Sequence, residues 1–293
     1  MILIADSGST KTEWCLTEDN SNVIYTQGIN PFQQSEEDII SILCHELMPA
    51  LSTLNAWQVK RANATISEPL TVNFYGAGCT PEKAPLVANA LRQVMGSKAT
   101  IYVESDLLGA ARSVCQHTTG IVCILGTGSN SCLYDGERLR PGNPALGYIL
   151  GDEGSGAYIG KRLVGDILKH QLPEDVQQLF FEEIQETQAS IIQKVYRTPL
   201  PNRFLASLSP FCARHREHPA IHDFLFDCFH QFFLRNILTA PWSQEAKTLP
   251  IHFVGSIAHH YQQELQAVAN SLGLHIGHIV QAPLQGLVTY HNS

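Results

Sequence analysis

A chain of 293 residues, 44% hydrophobic and 16% charged, is long enough for two domains with a buried core in each, and no apolar run approaches a membrane span. A net charge of −8 without a basic stripe argues against nucleic-acid binding. Eight cysteines stand singly, with no Cys-x-x-Cys pair, and Cys15, Cys44 and Cys123 lie in apolar segments; they read as small core residues in a reducing cytoplasm.

In chain order, Ile2-Leu3-Ile4-Ala5 reads as a strand. It meets Asp6 too soon, and lacks the basic residues, for a signal peptide. A glycine turn follows (Ser7-Gly8-Ser9-Thr10-Lys11), then a return segment with Trp14 and Leu16, the turn Glu18 to Asn22, and a third strand from Val23 to Gln27. After the loop Gly28 to Phe32, Ser35 caps a helix with Glu36, Glu37 and Asp38 in its first turn and Ile39, Ile42, Leu43 and Leu47 at helical spacing. Thr53 to Pro69 carries no clear pattern. Thr71 to Tyr75 reads as a strand ending at Gly76-Ala77-Gly78, Pro81 to Val94 as a helix stopped at Gly96, and Thr100 to Val103 as the next strand. Ser105 then caps a helix from Asp106 to Cys115. Three hairpin strands followed by strands separated by helices make a mixed-sheet α/β pattern.

Chemistry-bearing residues are densest from Glu104 to Gly156. Ile121 to Leu125 is a continuous apolar strand, as expected of one covered on both faces. It enters the turn Gly126-Thr127-Gly128-Ser129-Asn130, where the glycines permit consecutive N–H groups to converge on an anion. An ordinary glycine hairpin would read the same way, because a short Gly-Thr-Gly is a weak motif. Ser131 to Tyr134 forms the return strand and Asp135-Gly136 a tight turn. An internal repeat sharpens the picture. At an offset of 120, Ile4 meets Ile124, Gly8 meets Gly128, Ser9 meets Ser129 and Trp14 meets Tyr134. Two such turns facing each other would hold a nucleotide's phosphate tail, with Asp6 holding a magnesium ion directly or through water.

A second glycine–acid cluster, Gly151-Asp152-Glu153-Gly154-Ser155-Gly156, opens a helix from Gly154 to His170. Helical sequence continues to Thr239, punctuated by prolines, with Ile221, Phe224, Leu225, Cys228, Phe229, Phe232 and Phe233 as a buried stripe. His215, His218 and His222 have the spacing of metal ligands but no completing cysteine or acid cluster. A strand from Pro250 to Val254, Gly255-Ser256 opening a helix to Leu272, a strand from His275 to Val280 and a helix from Pro283 to Tyr290 finish the chain.

Five segments carry a resemblance: Asp6-Ser7-Gly8-Ser9-Thr10, Ser105-Asp106-Leu107-Leu108-Gly109-Ala110, Gly126 to Asn130, Gly147-Tyr148-Ile149-Leu150-Gly151-Asp152-Glu153-Gly154-Ser155 and Val254-Gly255-Ser256. In this order and spacing they resemble the sugar-kinase, heat-shock-chaperone and actin superfamily, its BadF/BadG-type ATPase branch, and within it N-acetylglucosamine kinase. The resemblance implies two ribonuclease H-like (actin-like ATPase) domains with mixed five-stranded sheets around an interdomain cleft. These would be residues 1–115, with the helix 283–293 packing back on them, and 116–282, with a helical insertion over 154–240. It implies cytoplasmic, ATP- and magnesium-dependent phosphorylation of an amino sugar, N-acetylglucosamine at its 6-position, and leaves a homodimer open.

By the same resemblance Asp106 is the catalytic base. Asp6, Gly8, Ser9, Thr10, Lys11, Gly126, Thr127, Gly128, Gly255 and Ser256 bind the nucleotide and its phosphates, and Asp6 takes the magnesium. Asn30, Ser129, Asn130, Ala145, Leu146, Gly147 and Asp152 line the sugar, with Glu153 behind them. Lys11 does not stand in a Walker order. The chain departs from the kinases at Pro144-Ala145-Leu146-Gly147-Tyr148, where they carry a Gly-Gly-Trp-Gly-His-type segment. Pro210 also stands in place of a nucleotide-side glycine. A reductase-activating ATPase of the same superfamily would need cysteines placed for an iron–sulfur cluster, a spacing that Cys115, Cys123 and Cys132 lack. A non-catalytic sugar sensor would not need both Asp6 and Asp106.

Overall fold

The computed structural model describes residues 1–8, 10–62 and 70–293. The chain divides into two units, Met1–His117 with Pro283–Ser293, and Thr118–Ala282.

In the first unit β1 (Ile2–Ser7) lies at the middle of a five-stranded sheet. It pairs antiparallel with β2 (Lys11–Leu16), which pairs antiparallel with β3 (Asp19–Gln27); on its other side it runs parallel to β4 (Thr71–Gly76), and β4 to β5 (Thr100–Ser105). The β1 run is apolar throughout because both faces are covered. Leu3 and Ala5 join Trp14, Phe74 and the helices Glu36–Ile42 and Ala84–Met95 in one core, while Ile4 joins Cys15, Tyr75, Leu284, Leu287 and Val288 in another. Successive side chains of a strand point to opposite faces, so one strand feeds two cores.

The second core is closed by the C-terminal helix Leu284–Asn292. Arg112 donates to the Tyr75 hydroxyl at 2.8 Å, and that hydroxyl lies 2.8 Å from His291 Nε2. The guanidinium carries only donors, so the hydroxyl accepts from Arg112 and its own proton is free for Nε2 of a neutral His291. Burial is the main reason that His291 is held down to about 4, with Arg112 adding to it. Gln116 Nε2 donates to the Gly286 carbonyl at 3.1 Å, and a Cβ at Gly286 would stand 2.3 Å from the Ser113 carbonyl oxygen.

The second unit repeats the sheet. Strands β6 (Gly120–Leu125), β7 (Ser129–Tyr134), β8 (Leu139–Pro141), β9 (Ile251–Val254) and β10 (Ile276–Val280) stand in the order β10-β9-β6-β7-β8, the counterpart of β5-β4-β1-β2-β3. Ile121, Cys123 and Leu125 pack with the helices Gly156–Leu168 and Pro219–Phe232 in a core that also holds Phe229, Phe232, Phe233 and Phe253.

The repeat is real but its register is not 120. Ser7 pairs with Thr12 and Gly76, and Leu125 pairs with Ser129 and stands one residue past the Ile124–Val254 pair that precedes Gly255. Ser7 therefore corresponds to Leu125, Gly8 to Gly126 and Asp6 to Ile124. The β6–β7 turn is one residue shorter than the β1–β2 turn, which no constant offset accommodates.

Other boundaries shift as well. β3 begins at Asp19, since Asn22 donates to Asp19 and the reversal falls at Thr17-Glu18. Asn55–Ala62 is a helix within the unpatterned stretch, whose residues 63–69 lie outside the described ones. The helix expected to run to Leu272 is broken at Tyr261 into Ser256–His260 and Gln262–Ser271. Cys44 is exposed, unlike the other seven cysteines.

Two glycines give opposite expectations. Gly286→Ala must displace the Ser113 backbone and should cost about 1–3 kcal/mol, whereas Gly165→Ala meets open space in a helix and should gain about 0.5–1 kcal/mol. Urea unfolding of both variants measures the two signs.

Candidate functional site

In the first unit the carboxyl ends of the parallel strands β1, β4 and β5 carry Asp6-Ser7, Gly76 and Ser105-Asp106, in register. This end of an open α/β sheet is where ligands are received, because the chain leaves each strand there into loops and helix starts. Ser105 caps the helix Asp106–Cys115 by accepting from the Leu108 N–H at 3.2 Å, which sets Asp106 in the first turn. The Leu107 N–H donates to Asp106 Oδ1 at 2.9 Å. Burial pushes the Asp106 carboxyl up, opposed by the backbone N–H groups of Leu107 and of Asp106 itself.

Asp6 is pushed up to about 7, first by burial and then by the negative charges of Asp106 and Glu13, with Lys11 acting the other way. Lys11 is not aimed over the turn: its ammonium donates to Glu13 at 2.5 Å and lies over the Tyr25 ring. Thr10 and Gly8 are exposed at the turn, where the Gly8 N–H donates to the Lys11 carbonyl at 3.0 Å; Ser9 lies outside the described residues. The buried Ser7 hydroxyl lies 2.7 Å from that of Thr12 and accepts from the Ile29 N–H at 2.9 Å, which brings the Asn30 loop to the same end of the sheet. Asn30 Oδ1 accepts from the Phe32 N–H, and a Cβ on Gly78 would come within 2.5 Å of it.

In the second unit the turn after β6 is fastened from one side. The Gly156 and Ala157 N–H groups donate to the Gly126 and Thr127 carbonyls at 2.8 and 3.1 Å. A trans peptide points its C=O and N–H in opposite directions, so the Thr127 and Gly128 N–H groups point away from that helix, side by side. Such consecutive amides form an anion-binding concavity. Gly255, with φ of +127°, closes on the turn so tightly that a Cβ would stand 2.2 Å from the Leu125 carbonyl; the exposed Ser256 follows it.

Asp152 comes to the same place through a left-handed backbone, φ +55°. Gly128 leaves room for it, since a Cβ there would lie 2.9 Å from Asp152 Oδ2. Burial raises Asp152 to about 6, with the Ser129 N–H and Lys161 lowering it and Glu153 raising it. Ser129 is buried, and Asn130 Oδ1 accepts from the Ser131 N–H at 2.9 Å. The Asp152 N–H donates to the Ala145 carbonyl at 3.2 Å, so the Ala145–Gly147 segment adjoins it. Leu146 is 60% exposed. Glu153 is buried, accepts from Asn236 Nδ2 at 3.3 Å and lies 3.8 Å from Arg235.

Lys161 and Glu13 did not stand out in the sequence. Each is an ordinary charge in an amphipathic helix or strand until the fold sets it against Asp152 or Asp6. His215, His218 and His222 face different acids, Glu183, Asp175 and Asp223. Pro210 sits in the first turn of the helix Ser209–Arg214.

A divalent cation suits the chemistry around Asp6. Two further carboxyls, Asp106 and Glu13, act on Asp6 there, and the lysine that acts on Asp6 is itself held by Glu13. The donors are hard oxygens. No cluster of three or more His, Cys, Asp or Glu side chains forms a metal cage among the described residues, and magnesium typically binds through one or two carboxylates, water and substrate phosphates.

Paired mixed five-stranded sheets of one strand order, each with a glycine turn after its central strand, define the actin-like ATPase fold. The chain is similar to a solved structure described as a proposed N-acetylglucosamine kinase from Porphyromonas gingivalis, with 45% identity, a TM-score of 0.89 and coverage of 99% of this chain and 98% of that one. A like-described structure from Chromobacterium violaceum shares the fold at 15% identity and a TM-score of 0.72, again over 99% and 98% of the chains. A ROK family glucokinase from Streptomyces griseus, in complex with glucose and AMPPNP, shares it at 12% identity, with a TM-score of 0.56 and the same coverage. No protein-family model matches the chain, and no curated protein matches it. The chain belongs to the ATP-dependent sugar kinases, in one family with the Porphyromonas gingivalis protein.

The acid pair predicts a pH signature. Asp6 binds its proton more tightly folded than unfolded, so ionising it costs stability as pH rises from about 4 to about 7. Asp6→Asn should therefore melt a few degrees above the ligand-free wild type at pH 8 and level with it near pH 4, by calorimetry.

Proposed function

We propose that the chain transfers the γ-phosphoryl group of ATP to the 6-hydroxyl of N-acetylglucosamine. The observation that carries the reading is the full-length 45% identity to the Porphyromonas gingivalis protein described as a proposed kinase of that sugar. The chemistry fits. Asp106 accepts the proton of the sugar hydroxyl while its oxygen forms the new bond to γ-phosphorus and the bond from γ-phosphorus to the bridging oxygen breaks, leaving ADP. A carboxylate suffices as base because the alcohol becomes acidic only late in a loose transition state.

Asp6 would hold magnesium, which when bound neutralises charge on the phosphates. The Thr127 and Gly128 amides receive phosphate oxygens, with Gly8 and Thr10 at the other turn and Gly255 and Ser256 bordering the base of the nucleotide. The carboxylate of Asp152 accepts from two neighbouring sugar hydroxyls, and Asn30, Ser129, Asn130 and the Ala145–Gly147 segment complete the sugar contacts. Leu146 and Tyr148 stand where the kinases carry Trp and His, so the contacts to the 2-acetamido group come from elsewhere in that set.

The test is ADP release from Mg-ATP with N-acetylglucosamine, glucosamine, N-acetylmannosamine, glucose and no sugar. Release that depends on N-acetylglucosamine is expected; sugar-independent release, or preference for another sugar, overturns the assignment. Asp106→Asn should bind ATP normally, by calorimetry, while turnover falls about 10²- to 10⁴-fold.

A further inference from the structure

The segment from Ala145 to Asp152 is a small closed loop. Its ends meet where the Asp152 N–H donates to the Ala145 carbonyl at 3.2 Å, and inside it Gly147 N–H donates to Ala145 O and Gly151 N–H to Gly147 O, each at 2.8 Å. The loop packs little of itself against the core. Leu146, Ile149 and Leu150 are 60%, 68% and 73% exposed, so burial of apolar side chains does not hold it down. Its middle is one helical turn, Gly147–Leu150, whose last carbonyls need partners.

Those partners come from one side chain. Lys161, one turn into the helix Gly156–Leu168, donates its ammonium to the Tyr148 carbonyl at 2.6 Å and the Ile149 carbonyl at 3.3 Å. A lysine on the last carbonyls of a helical turn also complements the negative end of its dipole. The same ammonium acts on Asp152 and Glu153, which face it. The other groups facing these carboxyls are the Ser129 N–H on Asp152, and Asn236 and Arg235 on Glu153.

We infer that Lys161 is a positioning residue for the sugar subsite: it ties the Ala145–Asp152 loop to the helix Gly156–Leu168 and keeps the Asp152 carboxylate ionised and in place. This rests on Asp152 and the loop binding the sugar. Lys161 touches no substrate, and its own ammonium is committed to backbone carbonyls. Without it the Gly147–Leu150 turn keeps only its internal hydrogen bonds, Asp152 keeps those with the Ser129 and Ser155 N–H groups, and the carboxylate loses the positive charge that acts on it. Asp152, already raised to about 6 by burial, then rises further, so the ionised fraction near neutrality falls.

The test compares wild type, Lys161→Met and Lys161→Arg. Hydrogen exchange without ligands should speed about tenfold or more at the Gly151 and Asp152 amides in Lys161→Met, a loss of about 1.4 kcal/mol of local protection. In turnover, the sugar KM should rise about tenfold or more at pH 7, with kcat and the KM for ATP within about threefold. The acidic limb of the sugar-KM profile should move to higher pH, because Asp152 now ionises later. Lys161→Arg should recover most of the KM and the profile. Unchanged exchange in Lys161→Met, or an unchanged sugar KM and profile, overturns the inference. A wild type with no sugar-dependent turnover overturns the kinase assignment instead, and the exchange measurement still decides whether Lys161 holds the loop.

Discussion

Holding unpaired carboxyls at the end of a buried sheet is the constraint on which the rest of the first unit depends. Asp6 and Asp106 stand at the carboxyl ends of β1 and β5, repel one another, and have lost much of their water. The lone lysine acting on Asp6 is drawn aside by Glu13. Such a site is stable only because the scaffold beneath it is rigid: two cores on the faces of β1, a serine cap that sets Asp106 in the first turn, and Ser7 binding β1 to the Asn30 loop. In the proposed reaction that unfavourable charge would serve a cation and a proton in transit, the two positive species that phosphoryl transfer presents.

The second unit solves a different problem with the same strands. Where β1 ends in an acid, β6 ends in Ile124-Leu125 and gives way to amides. The helix that follows Ser155 spends its first N–H groups on the turn's carbonyls instead of on a ligand. That choice orients the Thr127 and Gly128 amides outward and fixes them without any side chain. Glycine is favoured by contact as much as by conformation: a Cβ would stand 2.9 Å from Asp152 Oδ2 at Gly128 and 2.2 Å from the Leu125 carbonyl at Gly255.

Much of this was legible in the residues. The apolar runs at Ile2–Ala5 and Ile121–Leu125, the serine caps at Ser35 and Ser105, and the glycine–acid cluster at Gly151–Gly156 each announce a local structure through steric or hydrogen-bonding rules. The repeat was legible as a pattern but not in register, because matching Gly8 to Gly128 satisfies the eye while the β-ladder matches it to Gly126. Lys161 and Glu13 were hidden for a plainer reason. A lysine in a helix is unremarkable until carbonyls twelve and thirteen residues upstream fold back onto it. Asp6's raised acidity likewise depends on Asp106, one hundred residues away.

The C-terminal helix carries a consequence for biogenesis. Ile4, Cys15 and Tyr75 complete their core with Leu284, Leu287 and Val288, residues the ribosome adds only after all of β6 to β10. Throughout synthesis of the second unit that face of the first sheet is covered only in part, by the helix Asp106–Cys115, and Tyr75 waits for His291. Domains generally fold as units during synthesis, yet this one is left incomplete until its most distant contacts arrive. The nascent chain thus leaves the Ile4–Cys15 patch of that face without its final cover for some 165 residues of elongation, until Leu284 emerges.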